Sequence, residues 1–165
     1  EFQILADQIK QIDIYRILKE ITQENDVQRW IKETIKDRVQ KTGIDALGNK
    51  MQTDSSSSGF AYSDATMKLK DKKSGIGSID SHVTLTDTGE FWQSLRIIVK
   101  NDGFETKADY IKQNGHMYKN FTQDYSTKEA FENAVDGMSE DELRQLVEIY
   151  YFPRTVNKIN EILSR

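Results

Sequence analysis

The stretch Ser81–Val99, reading SHVTLTDTGEFWQSLRIIV, constrains the chain most, because its hydrophobic period changes partway through. His82-Val83-Thr84-Leu85 alternates polar and apolar residues, the period of a strand with one buried face. Thr86-Asp87-Thr88-Gly89 breaks the alternation with side chains that accept hydrogen bonds from backbone N–H groups just ahead, the chemistry that starts turns and helices. Phe91, Trp92 and Leu95 then fall on one helical face, and Arg96-Ile97-Ile98-Val99 is β-rich again. The expectation is an α+β fold: a small antiparallel sheet packed with several helices, with a short aromatic-bearing helical turn between two strands. Two uses stay open for Trp92, an anchor in the core or an anchor at an interface, since large aromatics serve both.

The flanks are mostly helical. Ile4, Leu5, Ile9, Ile12, Tyr15 and Leu18 repeat at helical spacing through Glu1–Ile21, and Ile14, Ile17 and Ile21 widen the stripe. So apolar a helix either packs on its own domain or docks as an arm on a neighbouring subunit. A polar break at Gln23-Glu24-Asn25-Asp26 precedes a second helix over Val27–Lys41, with Gly43 placed as its left-handed stop. Asp54-Ser55-Ser56-Ser57-Ser58-Gly59 reads as a surface loop, either plain or ordered on assembly. Ser63 is placed to cap a short helix to about Lys70, and Lys68, Lys70, Lys72 and Lys73 cluster at its end. Cations there suit the helix dipole without any ligand; the alternative is a DNA-facing patch.

After Val99, Asn101-Asp102-Gly103 is a hairpin signal that pairs Arg96–Lys100 with Phe104–Ala108, with Ile97, Val99 and Phe104 as candidates for the buried face. Tyr118, Phe121 and Tyr125 are spaced to dock rings on a core or, less commonly, to stack on bases. Ser126 and Ser139 each open a capping box, with Glu129 and Glu142. The first of these helices should end at Gly137, and the second carries Leu143, Leu146, Val147 and Tyr150 on one face. Pro153 should break or kink the chain, and a last helix should run over Thr155–Leu163. A single domain is expected over residues 1–165, with 1–22 a candidate N-terminal helical arm and 138–165 a C-terminal helical segment.

Composition narrows the function classes. The chain has no cysteine, which removes disulfides and thiolate chemistry and suits a cytosolic or virion protein. No apolar run approaches a membrane span and no signal-peptide pattern opens the chain, so no membrane partner is expected. The net charge of −4 argues against binding driven by phosphate contacts alone. Neither histidine, His82 or His116, has metal partners at ligand spacing. Asp87-Thr88-Gly89 matches the tripeptide of aspartic proteases, but that chemistry needs two carboxylates sharing a site, and the hydrophobic run that should precede it is absent. There is no P-loop and no G-x-S-x-G. The chain is therefore expected not to be an enzyme, and to hold no cofactor and no metal.

Leu85-Thr86-Asp87-Thr88-Gly89-Glu90-Phe91-Trp92-Gln93-Ser94-Leu95 resembles the L-x-D-T-G-x-(L/F)-x-x-S-(L/I) segment of tailed-bacteriophage virion morphogenesis proteins, the small head–tail joining and tail-completion proteins. Upstream, and in the same order, Gly43-Ile44-Asp45-Ala46-Leu47-Gly48 is similar to that family's G-x-D-x-x-G, and Tyr62 to Lys70 is similar to its Y-S-x-x-T-x-x-x-K. The resemblance covers roughly Trp30–Val99. It implies a structural virion protein: a subunit of a ring in the neck that joins portal or capsid to tail, assembled in the host cytoplasm. The implied partners are copies of itself, portal or adaptor proteins and tail proteins, with transient contact to passing DNA. The interface candidates are Phe91, Trp92, Asn101, Asp102, Gly103, Ile9 and Ile12, together with the Asp54–Gly59 loop and the outer helix faces. The DNA-facing candidates are Lys68, Lys70, Lys72 and Lys73. The competing reading is a small cytosolic nucleic-acid-binding or regulatory module built on that lysine cluster, whose binding would weaken steeply with salt.

Overall fold

The fold is α+β. A computed structural model describes residues 8–10, 12–51, 82–86, 89–112, 115–121 and 125–164. The serine-rich loop 54–59, the helix expected from Ser63 with its four lysines, and Asp87 and Thr88 lie outside the described residues. The chain divides into two compact units: residues 1–31, 97–105 and 140–165 in the first, and 32–96 and 106–139 in the second.

The first unit is built on helices. The stripe expected over Glu1–Ile21 is not one helix across the described residues. Residues 8–10 are helical, and a new helix, α1, runs Ile14–Thr22. The reason is Asp13: its backbone is extended and its Oδ1 accepts from the Arg16 N–H at 3.0 Å, which makes it an N-cap. Ile17 and Ile21 are buried from this helix. Helix α2 spans Asn25–Thr42, with Val27 and Ile31 buried in the first unit and its residues from Lys32 onward belonging to the second. Two strands, β1 (Arg96–Val99) and β2 (Phe104–Lys107), form a hairpin whose turn is closed by the Lys100 N–H on the Gly103 carbonyl at 2.8 Å. Ile97, Val99 and Phe104 are half-buried.

The second unit gathers the motif-bearing residues. Helix α2 stops at Gly43, whose φ is +66°; a Cβ there would sit 2.3 Å from the Cβ of His82, so both backbone and space require glycine. The strand expected over His82–Leu85 does not form. Leu85 adopts φ +52°, the left-handed region, and that ends any extended run. The segment is held by side chains instead: His82 Nε2 bonds the Gln40 carbonyl oxygen at 2.8 Å, and Gln40 Nε2 donates to Thr86 Oγ1 at 2.8 Å. Helix α3 (Glu90–Ser94) forms where the aromatic spacing placed it, entered through Gly89 at φ +85°. A second short hairpin pairs β3 (Ile111–Lys112) with β4 (Gly115–His116) in antiparallel register, Ile111 opposite His116. A 3₁₀ turn over Met117–Asn120 follows. Helix α4 spans Lys128–Asp136, and its cap is Thr127, one residue later than expected, accepting from the Ala130 N–H at 3.0 Å. It ends at Gly137, where Arg38 Nη2 donates to the carbonyl oxygen at 2.7 Å.

The C-terminal helices belong to the first unit. Helix α5 (Glu140–Leu146) begins directly after Ser139. Pro153 does not end the helical run. Residues Val147–Tyr151 form a π turn, in which the Phe152 N–H bonds the Val147 carbonyl, and α6 continues over Phe152–Leu163 with Pro153 in its first turn. Proline has no N–H to give and crowds the turn before it; widening that turn and restarting the helix on Phe152 removes both conflicts.

Candidate assembly surface

The residues singled out in sequence fall into two groups. Phe91 and Trp92 are buried in the second unit, at 4% and 9% exposure. The Trp92 indole N–H donates to the Thr84 carbonyl at 3.2 Å, and its ring meets Phe91 edge-on at 4.8 Å. Of the two uses open to Trp92, the structure displays the core one. Its neighbours in the motif are equally structural: Ser94 Oγ donates to the Phe91 carbonyl at 2.7 Å and accepts from the Asp109 N–H at 2.8 Å, and Leu95 is buried. In the upstream motif, Asp45 is buried and fully engaged. Its Oδ1 accepts from the Leu47 and Asn49 N–H groups at 2.9 and 2.8 Å, and its Oδ2 accepts from the Tyr125 hydroxyl at 3.0 Å. Both motifs therefore encode the second unit's interior.

Around them lies a chain of rings. Phe91 meets Tyr110 at 5.1 Å, Tyr110 meets Phe131 at 5.5 Å, and Phe131 meets Phe121 at 5.0 Å and Tyr125 at 5.1 Å. Phe121 and Tyr125 thus dock on the core. His116 stacks on Tyr110 at 5.6 Å and bonds Glu132 Oε1 at 2.8 Å. One group in this unit gave no signal in sequence. Asp136 is 4% exposed, and burial pushes its carboxyl up to about 7; hydrogen bonds from the Tyr110 hydroxyl and the Ala108 N–H pull against that rise, while Glu132 adds to it. The same burial, with Asp136 opposite, pushes the Tyr110 phenol up.

The second group of expected residues is at the surface. Ile9 is 53% exposed, Ile12 half-buried, and Asn101, Asp102 and Gly103 are exposed at the hairpin tip. Lys19 Nζ donates to Asn101 Oδ1 at 3.2 Å, which ties that tip to α1 within the first unit. Lys68, Lys70, Lys72 and Lys73 are outside the described residues.

A further run of apolar exposure lies on the C-terminal helices, where Leu143, Val147, Ile149, Phe152 and Val156 are 43%, 49%, 53%, 68% and 40% exposed; Leu47 and Ile111 are exposed singly in the second unit, at 74% and 72%. Leu143, Leu146, Val147 and Tyr150 were expected on one apolar face; of these Leu146 is buried and Tyr150 half-buried, while Leu143 and Val147 are exposed. The inward face of the last helix combines the half-buried Ile159, Ile162 and Leu163 with polar contacts. Arg154 bonds Glu24, and its Nη2 donates to Asp26 Oδ2 at 2.6 Å. Lys158 Nζ reaches Glu20 Oε2 at 3.1 Å, and the Thr22 and Tyr151 hydroxyls meet at 2.7 Å. Tyr150 packs on Trp30 at 5.6 Å, and the Arg154 guanidinium lies over the Tyr150 ring at 4.9 Å. Lys158, with Arg16, holds the Glu20 carboxyl below its ordinary range, and Arg154 does the same to Asp26. The signal that would have found this arrangement is Arg154 and Lys158 at i, i+4, a cationic stripe opposite Phe152 and Val156.

Among the described residues, no group of three or more His, Cys, Asp or Glu side chains is arranged to hold a metal ion, and no helix is long and apolar enough to cross a membrane. No family model, curated protein or solved structure matches the chain.

Proposed function

We propose that this chain is a structural virion protein, a subunit of the ring in a phage neck that joins portal or capsid to tail. The observation that carries the reading is the exposed apolar row on the C-terminal helices. A monomer gains stability by covering such side chains, and a row of four left in water on a helix whose other face is already docked marks a surface for association. The resemblance of Gly43–Gly48 and Leu85–Leu95 to the head–tail joining family gives that association its setting. Its motif residues build the second unit's interior, so the family likeness there is one of scaffold, and the adhesive surface lies elsewhere. The mechanism is geometric. Each subunit presents one patch to a different patch on the next, and such a heterologous contact closes into a ring when its rotation divides a full turn. The hairpin tip at Asn101-Asp102-Gly103 is a further contact for the portal-side or tail-side neighbour. Light scattering after gel filtration, over a range of concentrations, tests the reading. It predicts a mass that rises to a fixed multiple of the subunit, and annular particles by negative-stain microscopy. A monomer at every concentration, with or without a portal or tail partner, would overturn it.

A further inference from the structure

We propose that the β3–β4 hairpin is latched onto helix α4 by a proton held between the Asp136 carboxyl and the Tyr110 hydroxyl, and that losing this proton loosens the hairpin. The latch lies inside the second unit and does not depend on how copies of the chain assemble.

Helical spacing lines up its parts. Lys128, Glu132 and Asp136 follow one another at intervals of four along one face of α4. The hairpin meets that line twice. His116 Nε2 bonds Glu132 Oε1 at 2.8 Å, with Lys128 Nζ 3.6 Å from the same oxygen. Tyr110 stands just before β3, and its carbonyl accepts at 2.8 Å from the N–H of Met117, just after β4. Its ring is therefore carried at the base of the hairpin. That ring is buried, stacked on His116 and edge-on to Phe131. Its hydroxyl donates to the Glu132 backbone carbonyl at 3.2 Å and also hydrogen-bonds the Asp136 carboxyl.

Counting hydrogens fixes the state of the acid. A phenol has one hydrogen to give. With that hydrogen on the Glu132 carbonyl, Tyr110 Oη meets the carboxyl as an acceptor, so Asp136 must bring its own proton. The result is a directed chain from the Asp136 carboxyl O–H to the Tyr110 hydroxyl to the Glu132 carbonyl. Ionised Asp136 can only accept; the phenol then turns to it, and the Glu132 carbonyl loses that donor. The surroundings weigh against the charge. Burial and Glu132 oppose it, while Lys107 and the Ala108 N–H favour it, and the balance raises the carboxyl to about 7. From α2, Arg38 Nη2 donates to the Val135 and Gly137 carbonyls on either side of Asp136, at 3.4 and 2.7 Å. Lifting Tyr110 and Ala108 away would return the acid to water and to its ordinary range. The closed hairpin therefore loses stability as pH climbs from that range to about 7, and loses no more above it.

Amide hydrogen exchange by NMR on the full chain, corrected for the intrinsic pH dependence of exchange, tests the latch. The reporter is the Met117 N–H, bonded to the Tyr110 carbonyl. Its protection should fall by about tenfold or more between about pH 5 and about pH 7 and be level above about pH 8, since each pH unit below the raised value changes the opening equilibrium by up to about tenfold. The carbon-13 signal of the Asp136 carboxyl should titrate where the fall levels off. In Asp136→Asn the side-chain amide supplies the donor that the protonated acid supplied, and protection should stay flat. In His116→Gln, which removes the imidazole that bonds Glu132, the fall should persist. Two results on the wild type, independent of how any variant folds, would overturn the proposal: a carboxyl already ionised at about pH 5, or protection that stays flat through its titration. A fall that survives Asp136→Asn and vanishes in His116→Gln would move the switch to His116 and overturn it as well.

Discussion

The two units are held by different physics. The second unit centres on Phe131, fully buried with Tyr110, Phe121 and Tyr125 around it, and takes in buried polar groups such as Asp45 and Asp136. The first unit has a small aliphatic core of Ile17, Ile21, Val27, Ile31 and Leu146, and its C-terminal helix is fastened by ion pairs and a hydroxyl contact. The second unit leaves Leu47 and Ile111 exposed on separate elements, at 74% and 72%, whereas the first leaves Leu143, Val147, Phe152 and Val156 exposed along one helical run. On the C-terminal helix Arg154 and Lys158 turn inward beside the half-buried Ile159, Ile162 and Leu163, while Phe152 faces out.

The sharpest way to break the contrast is to empty the second unit's centre. Phe131→Ala should cost about 3–5 kcal/mol, as large-to-small changes of buried rings do, and thermal or urea unfolding measures it. A loss under about 1 kcal/mol would mean the ring cluster is not what holds this unit.

Acid sharpens it next, because the units should respond in opposite directions. Burial raises the Asp136 carboxyl above its unfolded value, so its contribution is fully present at low pH and is lost as pH rises toward and past about 7. Asp136→Asn removes that dependence. It should stabilise the second unit by on the order of a few kcal/mol above about pH 8, with the gain fading below about pH 5. In the first unit Glu20 and Asp26 are held below their ordinary values by Lys158 and Arg154. Their contribution is present above the unfolded carboxylate range and is lost as pH falls through it. Hydrogen exchange followed by unit resolves the two: on acidification, protection should rise in the second before it falls in the first.

A smaller effect is expected at Trp92. Trp92→Phe keeps most of the ring and removes the indole donor from the buried Thr84 carbonyl, which still accepts from Thr86 Oγ1 at 3.2 Å, a loss of about 0.5–1.5 kcal/mol by the same unfolding assay. The smallest is at Arg154. Both of its carboxylate partners reach solvent, so Arg154→Ala should weaken the first unit by less than any change above, and the difference from wild type should shrink as salt is added.

How much of this was legible in the sequence varies with the cause. Helix α2, its stop at Gly43, the Phe91 turn and the hairpin at Asn101-Asp102-Gly103 were readable, because spacing and local chemistry dictate them. The strand at His82–Leu85 was misread because alternation also describes a segment whose side chains bond to a neighbouring helix and whose Leu85 turns left-handed. Asp13 was overlooked as a cap because the apolar stripe runs through it without a gap. At Pro153, residue identity announces a break in the α-helical ladder but not its repair by a π turn. On the closing helix the sequence leaves core and interface open for Val156, Ile159, Ile162 and Leu163; Ile159, Ile162 and Leu163 are half-buried, and Arg154 and Lys158 turn inward as well, to meet Glu20, Glu24 and Asp26.

The central claim is that the outward row on the C-terminal helices is the surface by which copies of this chain join. Sedimentation of the wild type beside Val147→Asp and Phe152→Asp, at matched concentration and with folding verified, tests it most directly. The claim predicts that the wild type sediments as a multi-subunit particle and that either aspartate, placed in the row, reduces it to a folded monomer. Variants that sediment as the wild type does would contradict it.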